Sequence, residues 1–272
     1  MIKVKIMKNE EIINAIGAHH WDYEKEWIPS YIETIDQPGL KAVKNPRMKN
    51  VFSNKVIELT SSDSTLMEKW GKVKSFFGEN HFSLWLERSE SRRVAPILEQ
   101  DGFEITDRYD GLAFMLKELN DMPAENSQNS SIQLTDVKTD EEIHDLVEVS
   151  SIVWNYHKDQ YANLFEQRKN YIASPYRNGG YILARKDSEP AGYSNYRFSS
   201  DGRTMFMNGS GVLSEYRHQG IYTEMVNFRL KHAKNKGAVL ATCQARQGHS
   251  SPVLKKLGFN LYAEYDYWVY NR

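Results

Sequence analysis

The chain has 272 residues, 40% of them hydrophobic and 12% aromatic, enough to fill one large core or two of ordinary size. Its 35 Lys and Arg against 36 Asp and Glu leave a formal charge of −1, so no global field would hold it to nucleic acid or to an anionic membrane. Any anion it binds must be held by a local site. The single cysteine, Cys243, excludes an internal disulfide and any multi-cysteine metal site, and is expected to pack inside a strand.

Met1–Glu10 lacks an apolar stretch of signal-peptide length, and no later run of about 18 apolar residues is present to span a bilayer. A soluble, cytoplasmic protein is expected, without membrane or nucleic-acid partners. Ile2–Ile6 reads as a strand and Asn9–Ile12 as the start of a helix. His19 and His20 lie near Asp22 and Glu24, but adjacent residues of a helix diverge by about 100°, so no metal is expected there. Ser and Asp at 61–64 are favoured helix starters, and a helix is expected over Thr65–Phe77, then a strand over His81–Glu87.

Further on, Ala95-Pro96-Ile97-Leu98 with Gly102-Phe103 recurs as Ser251-Pro252-Val253-Leu254 with Gly258-Phe259, an offset of 156 residues. Tyr109-Asp110 falls on Tyr265-Asp266, and His81–Glu87 on Gly237–Cys243, at the same offset. The starts match too, Ile2–Ile6 and Asn9–Ile12 resembling Gln133–Val137 and Asp140–Ile143. The chain therefore reads as two copies of one plan, residues 1–119 and 132–272, joined by the polar, aperiodic linker 120–131. Each copy alternates strands and helices, a mixed α/β pattern with a central, mostly antiparallel sheet flanked by helices.

The second copy carries about 25 extra residues, expected to form an antiparallel meander over Tyr181–Ala184, Gly192–Phe198 and Arg203–Leu213, with Asp201-Gly202 as a hairpin turn. A helix should follow over Tyr222–Lys236, closed by Gly237. Between meander and helix lies Arg217-His218-Gln219-Gly220-Ile221-Tyr222. Amides at a helix N-terminus have no intrahelical acceptors and sit at the positive end of the dipole, which suits a phosphate; a glycine lets the backbone come close.

In its setting this loop resembles the Arg/Gln-x-x-Gly-x-Gly/Ala pyrophosphate loop of the GNAT superfamily of acetyl-CoA-dependent N-acetyltransferases. The downstream strand Ala238–Cys243, short helix Ser251–Lys256 and Leu257-Gly258-Phe259 stand in the order of the family's landmarks. The resemblance covers 132–272 fully and 1–119 in outline, so it implies two GNAT-like domains. It implies that the backbone of Val212 and Leu213 pairs with the pantetheine arm of acetyl-CoA, the acyl-donor substrate. Arg217, His218, Gln219, Gly220, Ile221, Tyr222 and Thr223 would hold the pyrophosphate, and Val253 would line the far wall with His249 and Ser250.

Two positions depart from the family pattern. Tyr222 replaces a small residue and is expected to lean away from the phosphates. Leu254 stands where relatives carry a tyrosine that protonates the leaving thiolate, so His249 and Ser250 become the candidate catalytic residues. The first copy has Ser61-Ser62-Asp63-Ser64-Thr65-Leu66 opposite the loop, with no glycine or arginine, and reads as a degenerate GNAT-like domain. His157, Asp159 and Glu166 fall where the family builds its acceptor pocket, amid Trp154, Tyr156, Tyr161, Phe165, Tyr171 and Tyr176; Glu215 is a possible base. The expected activity is acetyl transfer to the amine of a small molecule or peptide; the alternative is a non-catalytic acyl-CoA-binding protein, and the oligomeric state is left open. Residues 132–272 alone are expected to keep structure and CoA affinity.

Overall fold

The computed structural model describes residues 7–22, 28–48, 50–60, 63–121 and 131–270. The first half runs α1 (Asn9–Gly17), β1 (Glu33–Gln37), β2 (Leu40–Lys44), β3 (Lys55–Leu59), α2 (Asp63–Phe77), β4 (Ser83–Glu87), α3 (Arg88–Gln100) and β5 (Phe103–Met115). The second runs β6 (Ile132–Asp136), α4 (Asp140–Trp154), α5 (Tyr161–Ala173), β7 (Gly179–Lys186), β8 (Glu189–Phe198), β9 (Thr204–Val212), α6 (Ile221–Asn235), β10 (Leu240–Arg246), α7 (Ser250–Lys256) and β11 (Asn260–Tyr270). The fold is mixed α/β with mostly antiparallel strand pairing, as the sequence pattern implies. The expected strand Ile2–Ile6 and most of the linker lie outside the described residues. No helix among the described residues is long and apolar enough to cross a membrane.

Local chemistry sets the element ends. At the start of α4 the Thr139 hydroxyl accepts the Glu142 N–H, while the Glu142 carboxylate accepts the amides of Thr139 and Lys138. Asp187 and Ser188 both have positive φ, 50° and 76°, and make the two-residue turn between β7 and β8. Gly237 follows α6 at φ +84°, and the Ala238 N–H reaches back to the Ala233 carbonyl, closing the helix.

The meander is not what sets the second copy apart. The first copy has one of its own, β1-β2-β3, with five-residue strands against the 8, 10 and 9 residues of β7, β8 and β9. Additional length in the second copy is spent on these longer strands and on the 13-residue α5.

The described residues divide into two compact units. One comprises those of Met1–Trp21, Ile28–Leu112 and Gln244–Arg272; the other, those of Asp22–Trp27 and Ala113–Cys243. Compact units and sequence copies thus partition the chain differently, because Gln244–Arg272, from the second copy, packs with the first. In the first unit the strand order is β1-β2-β3-β4-β11-β5, with β3–β4 parallel and β1–β2, β2–β3 and β4–β11 antiparallel. Trp268 of β11 is buried in a core with Trp70, Phe77, Leu84, Leu86, Val94 and Leu98. Each such side chain contributes about 1.5–3 kcal/mol of burial.

The repeated Tyr-Asp pairs crosslink this unit in crossed fashion. Asp110 of the first copy accepts from Ser251 (2.5 Å) and Lys255 (2.7 Å) on α7, and from Gln247 (2.6 Å). Asp266 of the second copy accepts from Ser91 on α3 (2.7 Å), whose hydroxyl also takes the Trp268 indole N–H. Each aspartate is thereby bonded to the helix of the other copy. In the second unit the strand order is β10-β9-β8-β7-β6, antiparallel except for the β9–β10 pair.

Candidate functional site

In the second unit β9 pairs with β10 over Thr204–Phe206 only, while its other edge follows β8 as far as Val212. From Met207 onward no strand among the described residues is in register with the first edge. The Leu213 N–H donates to the Ala191 carbonyl and the Leu213 carbonyl accepts from the Tyr216 amide, so both its backbone groups are engaged. Alternation along an antiparallel ladder then turns the backbone of Val212 to the open edge. There its carbonyl accepts from Arg217 Nε at 3.2 Å. Of the two residues expected to pair with a ligand arm, Val212 is the one that faces outward.

Beyond β9 the chain bends through two left-handed residues, His218 at φ 62° and Gly220 at φ 84°, into α6. For His218 that conformation is uncommon and costly, a feature that concentrates at functional loops. Arg217, His218, Gln219 and Gly220 are all exposed. Gly220 offers no side chain to cap the helix, and the first intrahelical bond runs from the Glu224 amide to the Gly220 carbonyl. The amides of Ile221, Tyr222 and Thr223 therefore have no helical acceptor. A Cβ on Gly220 would meet nothing within 4 Å, so the loop is open on that side. Ile221 itself is buried as an anchor with Met225, Val212, Ala184 and Ala191, and Tyr222 packs against that cluster.

His249, Ser250 and Val253 lie in the first unit, at the start of α7, where His249 is exposed and Ser250 and Val253 are half-buried. Leu254 is fully buried. His157 and Asp159 pair with each other at 2.9 Å on the surface. Glu166 lines an open groove of 660 Å³ between α4 and α5, where His144 stacks on Phe165 with ring centroids 4.2 Å apart. The Glu215 carboxyl is held below its usual range by backbone hydrogen bonding and the Ser214 hydroxyl, which weakens it as a base. Cys243 is buried in β10, and burial pushes its thiol up to about 11, so it stays protonated and inert near neutrality. Among the described residues no three His, Cys, Asp or Glu side chains converge as a metal site requires.

Several residues escaped the sequence reading. Asn208 and Gly209 of β9 stand opposite the single residue Asn195 of β8, a bulge, which re-aims side chains next to functional edges. The bulge is pinned from below: Arg229 of α6, fully buried, donates Nη1 to the Asn195 carbonyl at 3.3 Å and Nε to the Met225 carbonyl at 3.1 Å. Arg168 of α5 is buried too. The signal was present in both helices, since an arginine continues each apolar stripe: Ile221, Met225, Arg229, Ala233 in one and Leu164, Arg168, Tyr171 in the other.

Residues 146–259 match the model of the acetyltransferase (GNAT) family. No curated protein matches the sequence. Among solved structures, the chain is similar to a GCN5-related N-acetyltransferase from Kribbella flavida, with 17% identity over 95% of each chain and a TM-score of 0.64. It is also similar to a tandem GNAT protein from the clavulanic acid biosynthesis pathway, with 13% identity over 94% of this chain and 86% of that one and a TM-score of 0.60. A GCN5-related N-acetyltransferase from Sphaerobacter thermophilus gives 11% identity, 86% and 81% coverage and a TM-score of 0.58. The fold of tandem GNAT proteins thus extends over nearly the whole chain, and residues 146–259 form a domain of the acetyltransferase (GNAT) family.

Proposed function

We propose that the protein is an N-acetyltransferase that passes the acetyl group of acetyl-CoA to the amine of a small molecule or peptide. The observation that carries this reading is the start of α6, where three amides without helical acceptors follow the exposed Arg217, His218 and Gly220, within the stretch that matches the family. The amides of Ile221, Tyr222 and Thr223, with Arg217, His218 and Gln219, hold the pyrophosphate, and Gly220 keeps its approach clear. Val212, beside Leu213, offers its backbone to the pantetheine arm in the manner of an added strand. Val253, His249 and Ser250 are assigned to the far wall, nearest the thioester, by the family pattern. In this reading residues 132–272 are the acetyl-CoA-binding copy, residues 1–119 the degenerate one and 120–131 the linker, in a soluble cytoplasmic protein.

Bound acetyl-CoA supplies an activated acyl group. The chain holds it in place, so that a neutral amine attacks at close quarters, and donates hydrogen bonds to the carbonyl oxygen. A thiol of cysteine type has a pKa of about 8.5, so its thiolate departs near neutral pH without a dedicated acid. Leu254 is then compatible with turnover. Ser250 and His249 serve at most as auxiliary donors, each worth under about a hundredfold in turnover.

Calorimetric titration should find one acetyl-CoA site per chain, and thiol release should follow when a panel of amines is added. Two equivalent sites, or none, would overturn the reading. Binding without thiol release from any amine would favour a non-catalytic acyl-CoA-binding protein, the alternative motivated by Leu254.

A further inference from the structure

Arg168 of α5 has a side chain only 9% exposed, and its Nη1 is buried with no hydrogen-bond partner. No carboxylate pairs with it among the described residues; its guanidinium lies over the ring of Tyr181 on β7, 5.8 Å from the centroid. A guanidinium stays charged at any pH the fold survives, and burying such a charge without an anion costs several kcal/mol. Retaining it calls for a partner that the described residues do not supply.

The surroundings point to the same place. Tyr156 and Tyr193 lie within electrostatic reach of Arg168, and both are buried deeply enough to raise their phenol pKa values. The Tyr193 hydroxyl accepts the Trp154 indole N–H. A Cβ on Gly209 would lie 3.4 Å from the Trp154 ring and 3.5 Å from the Tyr193 hydroxyl. Trp154 and Tyr193 therefore back onto the bulge of β9, the strand whose open edge ends at Val212, and Arg168 lies within electrostatic reach of that tyrosine. Donor phosphates are already accounted for at the start of α6, which leaves the acceptor as the molecule to meet Arg168.

Building on the acetyltransferase reading, we propose that Arg168 receives a carboxylate of the acceptor, so that the substrate is a small amino-carboxylate rather than a simple or polycationic amine. The planar fork of guanidinium donors matches a carboxylate, and the tyrosine hydroxyls add donors around it. In the transfer, the amine nitrogen bonds to the acetyl carbonyl carbon as the carbon–sulfur bond breaks. The electron pair leaves with sulfur, and the amine proton ends on the thiolate or in solvent. Arg168 takes no part in these bonds; it is a positioning residue that orients the acceptor.

The test is calorimetric titration of the CoA-loaded protein with matched pairs: glycine and methylamine, β-alanine and ethylamine, 4-aminobutanoate and propylamine, tyrosine and tyramine. At least one carboxylate should bind tenfold or more tightly than its partner amine, the factor expected for a charge-assisted pair. Arg168→Met should abolish that preference, and Arg168→Lys should keep part of it. CoA affinity should be unchanged in both, and the melting temperature of Arg168→Met unchanged or raised, since it removes an uncompensated buried charge. No pair showing the preference, or a preference surviving in Arg168→Met, would overturn the proposal, as would a lowered melting temperature with unaltered ligand binding. Failure of the wild-type protein to bind CoA at all would instead strike the acetyltransferase reading.

Discussion

The chain turns the same corner twice, from β3 into α2 and from β9 into α6, and the two corners are built to opposite ends. After β9, exposed residues and a left-handed glycine leave helix amides open with Arg217 beside them. After β3, Lys69 of α2 reaches back to donate to the carbonyls of Thr60 (2.5 Å) and Pro38 (2.9 Å), while the Thr60 amide is spent on Gly39. At the offset of the repeat, Lys69 falls on Met225, a fully buried core residue. One corner thus leaves helix amides without helical acceptors, and in the other Lys69 satisfies nearby carbonyls. A fold can keep strand, turn and helix while exchanging the turn's chemistry, which is why architecture alone does not locate the site.

The comparison breaks most severely if each copy is self-contained, and the structure argues that neither is. Gln244–Arg272 packs with Ile28–Leu112, and Trp268 is buried among first-copy residues. A fragment spanning residues 132–272 would expose that tryptophan and strip Asp266 of Ser91. We expect it to lack cooperative thermal unfolding by circular dichroism and to bind no acetyl-CoA, against the sequence-based expectation of an autonomous half. A sharp melting transition in the fragment would show that β11 can pair within its own copy. In the full chain, Trp268→Ala should cost about 3–5 kcal/mol in chemical denaturation.

Next in size are the corners themselves. Gly220→Val forces a β-branched residue into φ +84°, a penalty of about 1–2 kcal/mol, with nothing nearby for its Cβ to strike. The loop should relax to another conformation, and acetyl-CoA affinity should fall at least thirtyfold by calorimetry. Gly220→Asn, which tolerates the left-handed region, should lose less. The control is Lys69→Met, which removes two bonds to carbonyls in the other corner. It should lower stability by about 1 kcal/mol and leave acetyl-CoA affinity unchanged. Equal losses of affinity from both corners would mean that the ligand uses both.

Much of this was legible in the sequence. Periodicity and capping residues place α2, α6 and α7 to within two residues of where they stand, and Gly237 closes α6 as expected. The Gly220 loop is legible because a left-handed glycine before a helix is a local feature. What escaped is non-local. The repeat Tyr-Asp occurs identically at 109–110 and 265–266, so the sequence offers no reason for Asp110 to choose Ser251 and Asp266 to choose Ser91. Arg168 and Arg229 lay in view on apolar stripes, yet a long cationic side chain at such a position more often snorkels to solvent, and only tertiary packing buries it.

A pH-dependent effect of similar modest size is expected at Asp110, one aspartate of the crossed pair. Burial pushes its carboxyl up, but donation from Lys255, Ser251 and Gln247 outweighs that and holds it below the usual carboxylate range. Its folded pKa is thus depressed relative to the unfolded value of about 3.9. Such a group contributes its stabilisation in full above the unfolded pKa and loses it as pH falls through the folded one, since protonation removes the acceptor that the three donors share. Wild-type stability should therefore decline on acidification below about pH 5, with part of the slope due to Asp110. Asp110→Asn should be less stable by about 1.5 kcal/mol at pH 7, the low end for hydrogen bonds to a charged group, because Lys255 is exposed enough to be rehydrated. The gap between the two proteins should close as pH drops toward 3, measured by urea midpoints at constant ionic strength. A gap that stays constant across that range would mean that the side chain stabilises this unit through shape and neutral hydrogen bonds, with its charge contributing nothing.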